Sequence, residues 1–206
     1  MVYESQKDIP ESVSPNMVKE HLNAGRRAAA RPANGWQHRM RDQLQGGPSR
    51  HKRGGIFYED FIIGALIEHR LTKTVTQMDN MLFSNMTLNP QPLHIDAHFC
   101  AAETEWGRPL INSLFTLGLM VGISVNDLTL GTTIANLGMT QVKFPAPLFE
   151  GDTLHVTTEV LSKRLSKSRP DAGIVEFLHR AYQQEGRLVA ECRRQAFMKK
   201  AECLNQ

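Results

Sequence analysis

The side chains best suited to proton chemistry lie in one stretch, NPQPLHIDAHFCAAETEWGRPLINS, which runs from Asn89 to Ser113. His94 is its centre. An imidazole ionises near pH ~6.5, so it can take or give a proton close to neutrality. Asn89 and Gln91 precede it with amides, which can hold a water or a substrate but cannot accept a proton usefully. Asp96, two residues beyond His94, is a carboxylate with two uses. It could serve as a proton acceptor, or as the N-cap of a short helix over AHFCAAETE. Pro90 and Pro92 stiffen the backbone on either side of Gln91. His94 and His98 stand four apart, the spacing of a helical metal pair. His94 precedes the helix, however, and no third ligand accompanies the two, so no metal is expected.

Something must hold this loop. Leu110 to Val125 is apolar at almost every helical angle, which predicts a central helix buried on all sides, with Pro109 in its first turn. Gly118 and Gly122 leave a flat stripe on it, where a sheet is expected to lie. A helix start offers unpaired N–H groups and the positive end of the dipole, a suitable cradle for a developing oxyanion. The segment is too short and too rich in Gly, Ser, Thr and Asn to span a membrane.

Upstream, Ile67 to Val75 reads as a strand after a turn at Gly64, and Thr76 with Asp79 forms a capping box for a helix over MDNMLFSNM. Downstream, GTTIANLGMTQVKF, TLHVTTEVLSKRLS, GIVEFLHRAYQQ and RLVAECRRQAFMKK read as strands. Turns are expected at Gly151–Asp152 and at Glu185–Gly186. One long helix followed by antiparallel strands predicts an α+β domain over residues 54–200, a curved sheet wrapped around the helix.

Residues 1–53 have few large apolar side chains and read as a flexible or loosely docked extension, and residues 201–206 as a short tail. A net charge of +3 on 206 residues, much of it in the extension, does not indicate nucleic-acid binding. Cys100, Cys192 and Cys203 show neither metal spacing nor an even count and read as reduced thiols. The polar first twenty residues do not resemble a secretory signal. The expected compartment is the cytoplasm, with a mitochondrial transit peptide as the other reading of the Arg-rich 26–53 segment.

From residue 56 to 198 the order of elements, the NPQPLHID loop and the GRPLINSLFTLG helix start resemble the MaoC-like dehydratases. These are hot-dog proteins that include the (R)-specific enoyl-CoA hydratases. Their signature is Asp, any residue, Asn, Pro, an aliphatic residue and His, often with Asp two further on. Pro92, Leu93, His94 and Asp96 match it, while Asn89 stands where the first Asp is usual. Gly107, Arg108 and Pro109 match a later Gly-x-Pro, and Asn112 and Ser113 replace a following His-Gly.

The resemblance implies a hydro-lyase acting on an enoyl-CoA as a homodimer, with no cofactor beyond the coenzyme A carried by the substrate. It implies that His94 transfers the proton while Asn89 orients the water, and that the backbone N–H of Ser113 lies in the oxyanion hole. Gln91, Arg108 and Asn112 suit a polar acyl group, such as a short dicarboxylic or branched one of the mesaconyl or itaconyl type. Arg169, in the basic run SKRLSKSRP, reads either as part of a solvated turn or as a contact to coenzyme A phosphates. A hot-dog thioesterase and a non-catalytic acyl-CoA-binding module are the alternative functions.

Overall fold

The computed structural model describes residues 49–201. Residues 1–48 of the expected extension and 202–206 of the tail lie outside the described residues. The end of the extension, Ser49 to Arg53, docks on the domain. Ser49 Oγ donates to Asp60 at 2.7 Å, and Arg50 donates to the Asp127 carbonyl at 3.1 Å.

Six antiparallel strands make the sheet: β1 (Leu66–Glu68), β2 (Lys73–Thr74), β3 (Thr133–Lys143), β4 (Thr153–Leu165), β5 (Ala172–Tyr182) and β6 (Leu188–Lys199). Their spatial order is β1-β4-β5-β6-β3, with β2 beside the start of β4. The helices are α1 (Gln77–Met86), α2 (Pro92–Ile95), α3 (Ala97–Glu103) and α4 (Ser113–Leu128). Alternation along β4 sends Leu154, Val156, Thr158 and Val160 inward, and α4 packs across this face with Met120, Ile123 and Leu128. This is the hot-dog layout, an α+β domain as expected. Among the described residues no helix is long and apolar enough to cross a membrane.

The central helix differs from expectation at both ends and on one face. It begins at Ser113 rather than near Leu110, because Leu110 and Ile111 are extended and donate their amides to Leu93 and Leu148. It is not buried all round. Leu114 is 59% exposed, and Gly118, Gly122 and Asn126 follow it at four-residue intervals on the same open side. The sheet lies on the face of Thr116, Met120, Ile123 and Ser124 instead. A Cβ built on Gly118 or Gly122 would meet nothing within 4 Å in this chain.

The strand expected over Ile67 to Val75 is broken into β1 and β2. Asp127 at the far end of α4 is the reason: it accepts from the Arg70 amide at 3.2 Å and bonds His69 Nδ1 at 3.3 Å, turning the chain inward between the two strands. From there a polar line crosses the core. His69 Nε2 lies 2.8 Å from Thr158 Oγ1, and Thr158 Oγ1 lies 2.8 Å from His179 Nδ1. A carboxylate only accepts, so His69 Nδ1 carries the proton. Its Nε2 then accepts from the Thr158 hydroxyl, which in turn accepts from His179 Nδ1–H. These directions hold with both rings neutral, the form that burial favours.

Burial pushes both histidines below their ordinary value. Asp127 pulls His69 back in part, whereas the charge of Arg194, and that of His69 once it is protonated, depress His179 further. Cys192 lies opposite His179 on β6, and Arg70 flanks Asp127 from solvent. The unfolded chain protonates these imidazoles near pH ~6.5 while the folded one does not, so stability is full above that pH and is lost below it. The melting temperature should fall as pH drops through about 6.5 toward 5. A level or rising melting temperature over that interval would contradict a neutral pair.

Candidate active site

The site is built from α1 upward. Thr76 Oγ1 accepts from the Asp79 amide at 3.2 Å and Asp79 accepts from the Thr76 amide at 2.9 Å, the capping box expected from the sequence. Lys73 also reaches Asp79 at 2.8 Å. Although desolvation raises the Asp79 carboxyl, the Lys73 and Thr76 bonds outweigh it and hold the group below its ordinary value. The buried face of α1 carries Asn80 and Ser84 rather than its methionines. After α1, the Asn89 amide returns to the Ser84 carbonyl at 2.9 Å. Asn89 Oδ1 accepts from the Gln91 amide at 3.1 Å, a local turn that launches α2 with Pro92 in its first turn.

His94 sits in the single turn of α2, half-buried. Its Nδ1 lies 2.8 Å from the Leu110 carbonyl. A carbonyl cannot donate, so Nδ1 must carry the hydrogen, and in the neutral ring Nε2 is the nitrogen that keeps its lone pair. That is the tautomer of a general base. Asn80 donates from Nδ2 to the His94 carbonyl at 2.8 Å and to the Leu110 carbonyl at 3.1 Å, while its Oδ1 accepts from the Asn112 amide at 2.9 Å.

Three residues beyond Leu110, α4 begins. Asn112 caps it, accepting the Leu114 amide at 3.0 Å and donating to Ser84 Oγ at 3.4 Å. Ser113 is the first helical residue and is exposed, and its N–H has no partner among the described residues. The imidazole and the amino end of the central helix are thus joined through one carbonyl and one buried amide.

The other expected residues are placed as follows. Asp96 is exposed and caps α3, accepting the Phe99 amide at 2.9 Å. Gln91 is exposed beside His94. Arg108 is exposed and stacks on Phe149 at 4.0 Å from the ring centroid. The Asn112 side chain, expected at the pocket, is 3% exposed, with its oxygen on the helix cap and its nitrogen on Ser84. Arg169 pairs with Asp171 in the β4–β5 turn and lies over Phe197, toward the end of the sheet where α4 finishes. Asn80 and Ser84 were not anticipated. The available signal was two small polar residues four apart within a helix whose other positions are mostly apolar. Among the described residues no cluster of His, Cys, Asp and Glu could hold a metal ion.

A family model described as the MaoC-like domain matches residues 60–179. The chain belongs to this family. It is 34% identical over 113 residues to beta-methylmalyl-CoA dehydratase of Chloroflexus aurantiacus, covering 55% of this chain and 32% of that protein. It is 27% identical over 141 residues to mesaconyl-CoA hydratase of Cereibacter sphaeroides, covering 66% and 38%. The MaoC-like chain therefore matches only about a third of the length of each of these two relatives. Among solved structures, the MaoC-like dehydratase from Rhodospirillum rubrum is similar with a TM-score of 0.63 and 28% identity, over 71% of this chain and 98% of that one.

Proposed function

We propose that this MaoC-like protein adds water to, or removes it from, the double bond of an enoyl-CoA thioester, with His94 as the proton-transferring group. The observation that carries the proposal is the bond between His94 Nδ1 and the Leu110 carbonyl. It leaves a proton-accepting Nε2 close in the chain's architecture to the open start of α4. In hydration, Nε2 takes a proton from water as the water oxygen bonds to the β-carbon. The electron pair of the double bond moves toward the thioester oxygen, giving an enolate-like transition state. The Ser113 N–H and the positive end of α4 stabilise that oxygen, and His94 returns the proton to the α-carbon. Asn89, whose Oδ1 is used by Gln91, keeps its NH₂ to orient the water. Asp96 is accounted for by its cap and needs no part in the step.

The relatives named for methylmalyl-CoA and mesaconyl-CoA support a short, branched or dicarboxylic acyl group. Gln91 and Arg108, both exposed beside the loop, suit such a polar group. Coenzyme A enters with the substrate and no separate cofactor is required.

The active species is a homodimer in this proposal. β3 is an edge strand with Leu137 and Val142 about half exposed, and Leu114, Gly118 and Gly122 form an open apolar side on α4. A second copy covering both would remove an exposed sheet edge and apolar surface together.

A panel of purified enoyl-CoAs and saturated acyl-CoAs tests the activity. Loss of the enoyl-thioester absorbance without release of thiol is expected, fastest for short branched or dicarboxylic substrates. Thiol release, or binding alone, would overturn it.

A further inference from the structure

We infer that Asn80 is the positioning residue that sets His94 and the start of α4 in register, an inference that rests on the hydration proposed above. Asn80 is fully buried on α1, and its side chain bonds backbone groups of His94, Leu110 and Asn112. Asparagine is a poor choice for a helix interior, since its side chain competes for backbone bonds and costs energy to bury unpaired. Here every bond it makes is to the site. Its orientation is fixed by its partners: the NH₂ group faces two carbonyls, of His94 and Leu110, and the Oδ1 faces the Asn112 N–H.

Each of those bonds bears on a different requirement of the reaction. The bond to the His94 carbonyl holds the backbone that carries the imidazole. The bond to Leu110 O shares the acceptor that selects the His94 tautomer, so this carbonyl receives two donors, His94 Nδ1–H and Asn80 Nδ2–H. The bond from Asn112 fixes the cap residue immediately before Ser113, and with it the direction of the first helical N–H. One amide therefore aligns the base with the oxyanion donor, two groups contributed by different elements.

Removing it should leave substrate binding largely intact and misalign the transition state. For Asn80→Leu, nearly isosteric and unable to make these bonds, kcat should fall about 10²-fold while KM changes by less than about threefold. The second readout does not depend on activity: nitrogen NMR of histidine-labelled full-length protein reports which ring nitrogen of His94 carries the hydrogen. The parent should show the Nδ1–H form, and Asn80→Leu a mixture with the Nε2–H form. A folded Asn80→Leu protein with parental kcat and an unchanged tautomer would overturn the inference. If the parent hydrates no enoyl-CoA yet the tautomer shifts in Asn80→Leu, the positioning role stands and the reaction assigned to the site falls.

Should Asn80→Leu fail to fold, Asn80→Asp keeps the shape and the acceptor for Asn112. Its buried carboxyl can donate to the carbonyls only when protonated. The ratio of variant to parental kcat should then rise as pH is lowered. A ratio independent of pH, with the Nδ1–H tautomer retained throughout, would overturn the inference.

Discussion

Replacing His94 with alanine should lower kcat for enoyl-CoA hydration by at least ~10²-fold while the protein stays folded. The ring is half-buried and makes one hydrogen bond, to Leu110 O. Its loss removes a net contribution of about 1 kcal/mol, and Leu110 O keeps Asn80 Nδ2 as a donor, so no carbonyl is left stranded. The stability effect is therefore small and the catalytic effect large. What disappears is the group that both accepts the proton of water and returns one to carbon. Asn89 cannot replace it, because an amide has no useful basicity. A folded His94→Ala protein that hydrates its best substrate at near the parental rate would remove His94 from the mechanism.

The second large effect concerns assembly. Gly118 lies mid-helix, and in the single chain a side chain there meets open space. If the chain worked alone, Gly118→Leu would stabilise α4 by up to ~1 kcal/mol through helix propensity. In the proposed dimer the same leucine would enter a close-packed face in both copies. At about 1–3 kcal/mol for each copy, the dissociation constant should rise by at least ~30-fold. Light scattering across a dilution series should then find a dimer for the parent and mostly monomer for Gly118→Leu at micromolar concentration. A variant dimer as tight as the parent, with a raised melting temperature, would show that this side of α4 is not the interface.

How much of this was legible depended on whether the deciding partner was local. The capping box of Thr76 and Asp79, the Asp96 cap and the turns at Gly64, Gly151 and Gly186, all with positive φ, are decided within a few residues and match the sequence reading. The long strands β4, β5 and β6 follow from alternation and the turns between them. The break between β1 and β2 was not readable, because Asp127, nearly sixty residues away, causes it.

The start of α4 was misplaced because Leu110 and Ile111 are apolar enough to continue the helix. Their amides go instead to Leu93 and Leu148, from segments on either side in sequence. α1 misleads most. Met78, Leu82 and Met86 recur at four-residue intervals, yet these are 65%, 53% and 82% exposed, and the buried side holds Asn80 and Ser84. Hydrophobic pattern reports where apolar surface sits, not which face a site requires for its hydrogen bonds. His94 was found because its residue type carries chemistry. Asn80 was missed because its importance lies wholly in its partners.

The central claim is that water adds to carbon while the thioester survives, and one measurement addresses it directly. The purified protein is incubated with its best enoyl-CoA in isotopically labelled water, and the products are resolved by mass spectrometry. One heavy oxygen on the β-carbon of an intact 3-hydroxyacyl-CoA, absent in His94→Ala, is the predicted result. Label in a free carboxylic acid, together with released coenzyme A, would contradict it.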